Sequence, residues 1–207
     1  LGEVEFQGRR FHSDPRGLIP RPETEELVGI IISRLDHGEQ PGRVVDVGCG
    51  SGVIGLSLGL EWEGSTITLV DISADALALA SENAQRHSLD CGKLIFVEGD
   101  LLAGIPGPFD LVIANLPYVS TGEIPGLAPE LSHDPRLALD GGETGIEIIE
   151  RLIHQLPGKI TPGGILALEV GDGQGEALSR MLSASGFKEC DLVKDMAGIE
   201  RFILAKA

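Results

Sequence analysis

The stretch FDLVIANLPYVS (109–120) carries an apolar run, Leu111–Ala114, into Asn115-Leu116-Pro117-Tyr118. An asparagine amide both donates and accepts hydrogen bonds, and Tyr118, the only tyrosine in the chain, offers a flat apolar face. Together they suit a planar, polar group such as an amide or a nucleobase. A second constellation is Asp46-Val47-Gly48-Cys49-Gly50-Ser51-Gly52. Its glycines let backbone N–H groups approach a ligand where a Cβ would collide. Asp71 closes the next apolar run, where a carboxylate can accept both hydroxyls of a ribose. Asp100 with Leu101 closes a third. Asp100 is placed to read an adenine amino group while Leu101 and Ile72 cover the ring faces.

These residues need strands that end together. RVVDVG (43–48), STITLVDIS (65–73), KLIFVEGD (93–100), FDLVIAN (109–115) and GGILALEVG (163–171) read as buried strands. Helices are expected from Pro22, with Glu23, Glu25 and Glu26 at the positive end. Others are expected after the glycine turn, over 74–87 with Ser73 as N-cap, over 146–156, and over 174–185 ended by Gly186. Val4–Gln7 and Arg9–His12 flank Gly8 as a small hairpin. FKECDLV and IERFILA close the chain as two strands around Asp195–Gly198. Strands alternating with helices imply a doubly wound α/β fold. The expectation is a Rossmann-like, seven-stranded, mostly parallel sheet with an antiparallel last strand. In such a sheet ligands bind beyond the carboxyl ends of the strands, at the switch point. The long irregular stretch 119–145 lies beside one of those ends and is expected to be functional.

At 207 residues the chain suffices for one full α/β domain, and an apolar content of 42% suits a folded core. The net charge of −16 opposes binding to a phosphate backbone. Arg136 is the only arginine or lysine between Tyr118 and Arg151, and its simplest role is to anchor the loop. Cys49, Cys91 and Cys190 are far apart, with no C-x-x-C pair, so neither zinc nor a disulfide framework is indicated. No apolar run reaches the roughly 18 residues of a membrane span, and no signal peptide is visible. A cytoplasmic protein without membrane or metal is expected. The chain opens on LGEVEFQGRRF without Met, so a preceding region is expected to be missing.

A dinucleotide site is the competing reading of the glycine turn. Val53 breaks the G-x-G-x-x-G spacing begun at Gly48, and the match Gly50-Ser51-Gly52-Val53-Ile54-Gly55 starts too late in the turn. VDVGCGSG with a following acidic strand end instead resembles the first motif of S-adenosylmethionine-dependent methyltransferases. Asn115-Leu116-Pro117-Tyr118 resembles the [Asn/Asp]-Pro-Pro-[Tyr/Phe/Trp] motif of those that act on nitrogens conjugated to a planar system. There the Asn115 side-chain oxygen and the Leu116 carbonyl would orient the nitrogen, and Tyr118 would stack on the planar group.

LIPRPETEEL (18–27), NLPY (115–118), DPRLALDGGETGIEIIERLI (134–153) and LEVGDGQ (168–174) resemble the release-factor glutamine methyltransferases, the PrmC/HemK family. The resemblance covers almost the whole chain. It implies methyl transfer from S-adenosylmethionine, giving S-adenosylhomocysteine, to the glutamine amide nitrogen (N5) of the Gly-Gly-Gln motif in class 1 peptide-chain release factors. It implies that Arg21 and Thr24 lie over the cofactor and Leu18 beside the substrate amide. It also implies that residues 1–22 are a hairpin and lead-in segment, that 23–207 are the methyltransferase domain, and that the family's N-terminal docking domain is absent. Leu116 departs from the family's proline. Pro117 still restricts Leu116 to extended backbone, which preserves the carbonyl's direction. Asn-Leu-Pro-Tyr is also the form found in rRNA adenine dimethyltransferases, so an adenine-N6 methyltransferase is the alternative, and a non-catalytic cofactor-binding module a third. The flanking segments and the net acidity favour glutamine and no direct nucleic acid. Glu169, at a strand end, either faces the site or caps a loop.

Overall fold

The computed structural model describes residues 2–35, 40–89, 92–127 and 134–207. Cys91 and part of the 119–145 stretch lie outside them. A hairpin, β1 (Glu3–Phe6) and β2 (Arg9–His12), comes first. Gln7 and Gly8 both take positive φ, the geometry that matches a two-residue turn to the twist of the strands. Phe6 and Phe11 pack edge to face at 6.4 Å and are almost wholly buried. The turn is tied to helix α1 (Pro22–Leu35), since Gln7 N donates to Glu25 Oε1 at 2.7 Å.

The chain then alternates through β3 (Arg43–Val47), α2 (Val53–Glu61), β4 (Thr66–Asp71), α3 (Ala74–Arg86), β5 (Leu94–Glu98) and β6 (Phe109–Asn115). After the long loop come α4 (Glu147–Gln155), β7 (Ile160–Glu169), α5 (Gly175–Ala184), β8 (Glu189–Lys194) and β9 (Glu200–Lys206). The expected seven-stranded sheet is present, in the order β5-β4-β3-β6-β7-β9-β8. β9 inserts between β7 and β8 and runs antiparallel to both; the other pairings are parallel. β7 begins ahead of the expected 163. Ile160 pairs with Phe109, and a register shift then lets Ile165 pair with Leu111.

Alternation along each strand supplies two cores. Val44, Leu111, Ile113, Phe202 and Leu204 face the α1–α3 side, packed on Leu27, Ile31 and Leu56. Val45, Val47, Val112, Ala114 and Ile203 face the other, packed on Ile149, Leu152, Leu178 and Leu182. Each fully buried Val, Leu, Ile or Phe among them contributes about 1.5–3 kcal/mol. Both faces are therefore covered, which is why the central strands read as unbroken apolar runs.

Ser73 caps α3 as expected, its hydroxyl accepting from Ala76 N at 3.2 Å. Helix α2 has no such cap: Gly52 starts it in the left-handed region, at φ 79°. A Cβ on Gly52 would stand 2.9 Å from Ala80 Cβ, 3.1 Å from Leu56 Cδ1 and 3.2 Å from Leu69 Cδ2. The turn can thus draw α2 down against β4 and α3 only with glycine here. Gly52→Ala is expected to cost about 2–4 kcal/mol, combining left-handed backbone and overpacking. Urea denaturation measures it; an unchanged midpoint would show that the turn relaxes without loss.

Candidate active site

The carboxyl ends of β3, β4, β5 and β6 open onto a cavity of about 230 Å³. Among the described residues it is lined by Gly48, Cys49, Gly50 and Ser51 of the turn after β3, and by Asp71 and Ile72 at the end of β4. Asp100 and Leu101 line it after β5, and Asn115, Leu116 and Pro117 at the end of β6, with Leu18 from the lead-in segment. The two constellations picked out in the sequence thus meet in one cavity.

The glycine turn works differently from the expectation. Gly48 N and Cys49 N both donate to the Val70 carbonyl, at 2.8 and 3.0 Å, and Gly52 N donates to the Cys49 carbonyl. Gly50 N donates to Asp71 Oδ2 at 2.8 Å. These N–H groups are satisfied within the chain, so the glycines supply clearance and left-handed backbone rather than donors. At Gly48 a Cβ would stand 2.7 Å from Leu116 Cδ2, so glycine lets the turn and the Asn-Leu-Pro-Tyr segment lie side by side. Asp71 Oδ1 accepts from Ser73 N at 2.9 Å, so both carboxylate oxygens are aimed before any ligand arrives. Ile72 is 55% exposed, a large apolar side chain held open in the wall.

Asp46, Gly52, Arg21, Thr24 and Tyr118 do not line this cavity. Asp46 shares the pleat face of Val44, beneath α2, and is wholly buried. Its Oδ2 accepts from Gly55 N at 2.8 Å, holding the first turn of α2, while Oδ1 has no partner among the described residues. Arg21 pairs with the buried carboxylate of Asp134, which also accepts from Ile19 N at 2.9 Å. Asp134 thereby pins the lead-in segment to the long loop. Thr24 lies behind Asn115: Asn115 Nδ2 donates to Thr24 Oγ1 at 2.9 Å, and Thr24 Oγ1 donates to Glu169 Oε2 at 2.7 Å. Tyr118 turns its hydroxyl inward to Glu169 Oε1, at 3.3 Å. Burial raises the proton affinities of both Tyr118 and Glu169.

Arg16, Pro135, Leu137, Asp140, Ile148 and Arg151 also line the cavity and were not anticipated. For Pro135, Leu137 and Asp140 the length of the 119–145 loop was a signal; Arg16, Ile148 and Arg151 lie outside that loop. Arg151 pairs with Asp100, and Arg16 with Asp14 and Glu82. Arg136 pairs with Asp140 inside the same loop, at 3.1 Å. Cys49 is buried, which pushes its thiol well above the ordinary range and leaves it unreactive.

The family described as Methyltransferase small domain matches residues 28–140. A release factor glutamine methyltransferase of Deinococcus radiodurans is 41% identical over 205 residues, covering 99% of this chain and 72% of that protein. One of Moorella thermoacetica is 38% identical over 206 residues, with the same two shares. In fold, the chain is similar to a Thermus thermophilus 16S rRNA N2 G1207 methyltransferase solved with AdoMet and guanosine. That likeness has a TM-score of 0.70 at 15% identity, and covers 99% of this chain and 49% of that one.

The Asp46 carboxyl has a measurable signature. Burial, opposed by the Gly55 N–H and aided by the charge of Asp71, pushes its pKa up to about 7. Between the ordinary carboxylate range and about pH 7 the folded chain therefore holds a proton that the unfolded chain has lost. The folded state binds more protons there, so this group lowers stability as pH rises through that window. Asp46→Asn keeps an oxygen for Gly55 N and does not titrate. Thermal unfolding from pH 5 to pH 8 should show wild type losing stability relative to Asp46→Asn, and parallel profiles would exclude the buried proton.

Proposed function

The chain belongs to the release factor glutamine methyltransferase family, and we propose that it methylates the side-chain amide nitrogen of the Gly-Gly-Gln glutamine in a class 1 release factor. S-adenosylmethionine is the methyl donor and the reaction runs in the cytoplasm, with a protein rather than a nucleic acid as partner. One observation supports this reading most directly. The glycine turn and Asp71 share a cavity with Asn115, whose Nδ2 donates one N–H to Thr24 and whose Oδ1 is the amide's acceptor.

The residues present fit the cofactor. Each Asp71 oxygen already holds one backbone N–H and keeps a lone pair for a ribose hydroxyl. Ile72 and Leu101 give apolar faces for the adenine, and Asp100 an acceptor for its amino group. When bound, the cofactor supplies a methyl group activated by a sulfonium. The chain's own task is to make a poor nucleophile attack it, since the amide lone pair is delocalised into the carbonyl. Asn115 Oδ1 and the Leu116 carbonyl each accept one N–H of the substrate amide. Two fixed acceptors orient the nitrogen and stabilise the positive charge that develops there. No donor among the described residues occupies the Leu116 carbonyl, and Leu116 itself is buried against the turn. Residues 1–22 contribute the rim on the substrate side, through Leu18, and residues 23–207 form the methyltransferase domain.

Mass spectrometry of a folded release factor incubated with labelled cofactor tests the reading. One methyl group on the Gly-Gly-Gln glutamine is expected, and none on its Gln→Ala variant. Transfer to adenine in RNA or DNA, with none to the release factor, would overturn it. Asp71→Ala should weaken cofactor binding about ten- to hundredfold by calorimetry, through loss of charged hydrogen bonds. Asn115→Ala should bind cofactor nearly normally and lose about 10²-fold in turnover, as for one missing transition-state contact. Full turnover in Asn115→Ala would refute its role.

A further inference from the structure

We propose that Glu169 and Thr24 are positioning residues, which together dictate that Asn115 presents its oxygen, and not its NH2, to the substrate. The proposal rests on the reading of Asn115 given above. The two ends of an asparagine amide have nearly the same size and shape, so packing cannot choose between them; only hydrogen bonding can. Glu169 is 1% exposed and Thr24 3% exposed. An ionised carboxylate only accepts, so the Thr24 hydroxyl must spend its single proton on Glu169 Oε2, 2.7 Å away. The Thr24 oxygen is then purely an acceptor. Whatever lies 2.9 Å away on Asn115 must donate, which makes it the NH2. Oδ1 is left for the cavity that Asn115 lines. Tyr118 adds to this, because its hydroxyl also reaches the carboxylate, on the other oxygen.

A buried carboxylate is a costly way to hold a threonine, and a neutral side chain of similar size would cost less. The charge has a use that a neutral group lacks: it leaves the direction of the Thr24 proton no choice. A protonated Glu169 can donate to Thr24, which would then donate to Asn115. That arrangement turns the Asn115 amide over and aims its NH2 at the substrate N–H. The groups facing Glu169 are Thr24 and Glu23 from α1, Tyr118 from beyond β6, and Arg201 from β9. Burial raises its proton affinity; Thr24, Tyr118 and the charge of Arg201 lower it, and Glu23 raises it. Arg201 is itself held by Asp195.

The relay is read without substrate from the Asn115 side-chain NH2 signals, in 15N NMR of the cofactor-free protein, assigned by Asn115→Ala. In wild type they should exchange slowly with water and shift as Glu169 titrates; Glu169→Gln should lack that shift. Thr24→Val should make exchange fast, and Thr24→Ser should restore slow exchange. In turnover, Thr24→Val should lower kcat about tenfold, the loss of roughly one hydrogen bond's worth of orientation, with cofactor affinity unchanged. Thr24→Ser should recover most of that loss. The wild-type rate should fall on the acid side above the ordinary carboxylate range, and Glu169→Gln should lack this limb. Fast exchange in wild type overturns the proposal, even if Thr24→Val does not fold. So does a Thr24→Val enzyme with full kcat, or one whose loss follows weakened cofactor binding. A wild-type enzyme that methylates no release factor, with the NMR signals as expected, would instead overturn the substrate reading alone.

Discussion

Parallel strands that end together leave the chain's direction of exit as their one freedom, and this molecule uses it once. From β3 and β4 the chain leaves through α2 and α3 on one face; from β6 it leaves toward α4 on the other. β3 and β6 are nonetheless hydrogen-bonded neighbours. No helix can cover the place where the exits diverge, so a crevice forms there. Asp71, Asp100 and Asn115 reach it because each stands at or just past the end of a strand. The two cores, the glycine turn and the long loop all serve to keep that crevice open and shaped.

Carboxylates withdrawn from water organise what lies around it. Asp46 starts α2, Asp134 joins the lead-in segment to the long loop, and Glu169 stands behind Asn115. In a dry setting each bond is strong, and each unfilled valence is costly. Polar groups placed this way fix geometry that apolar packing would leave loose.

Much of this was legible in the sequence because it is local. Apolar runs gave the strands, left-handed glycines gave the turn, and Asp71 and Asn115 stand where such runs stop. Asp46 could have been placed from the pleat: Val45 and Val47 face one core, so Val44 and Asp46 face the other, under α2. The motif's resemblance to a ligand loop obscures that alternation. Arg21 and Thr24 were illegible for a different reason. Their partners lie on segments far away in the chain, and nothing near Pro22 says that Glu169 or Asp134 will arrive beside it. Arg16 and Arg151 share that problem, and Asp140 has a related one, since a loop's length announces a function without saying which side chains turn inward.

The self-satisfied glycine turn also governs which molecules are refused. Adenosine is shared by nucleoside triphosphates, dinucleotides and sulfonium donors, so recognising it alone would admit all of them. A phosphate chain is normally welcomed by free backbone N–H groups at such a turn. Here Gly48, Cys49, Gly50 and Gly52 have already given theirs to the chain, and the cavity's arginines, Arg16 and Arg151, are committed to carboxylates. Asp71 adds negative charge to the same wall, where Asp100 and Asp140 are each paired with an arginine. A phosphate chain would find few free backbone donors at this turn and the Asp71 carboxylate beside it, so the way the turn bonds to itself disfavours a polyanion in the cavity.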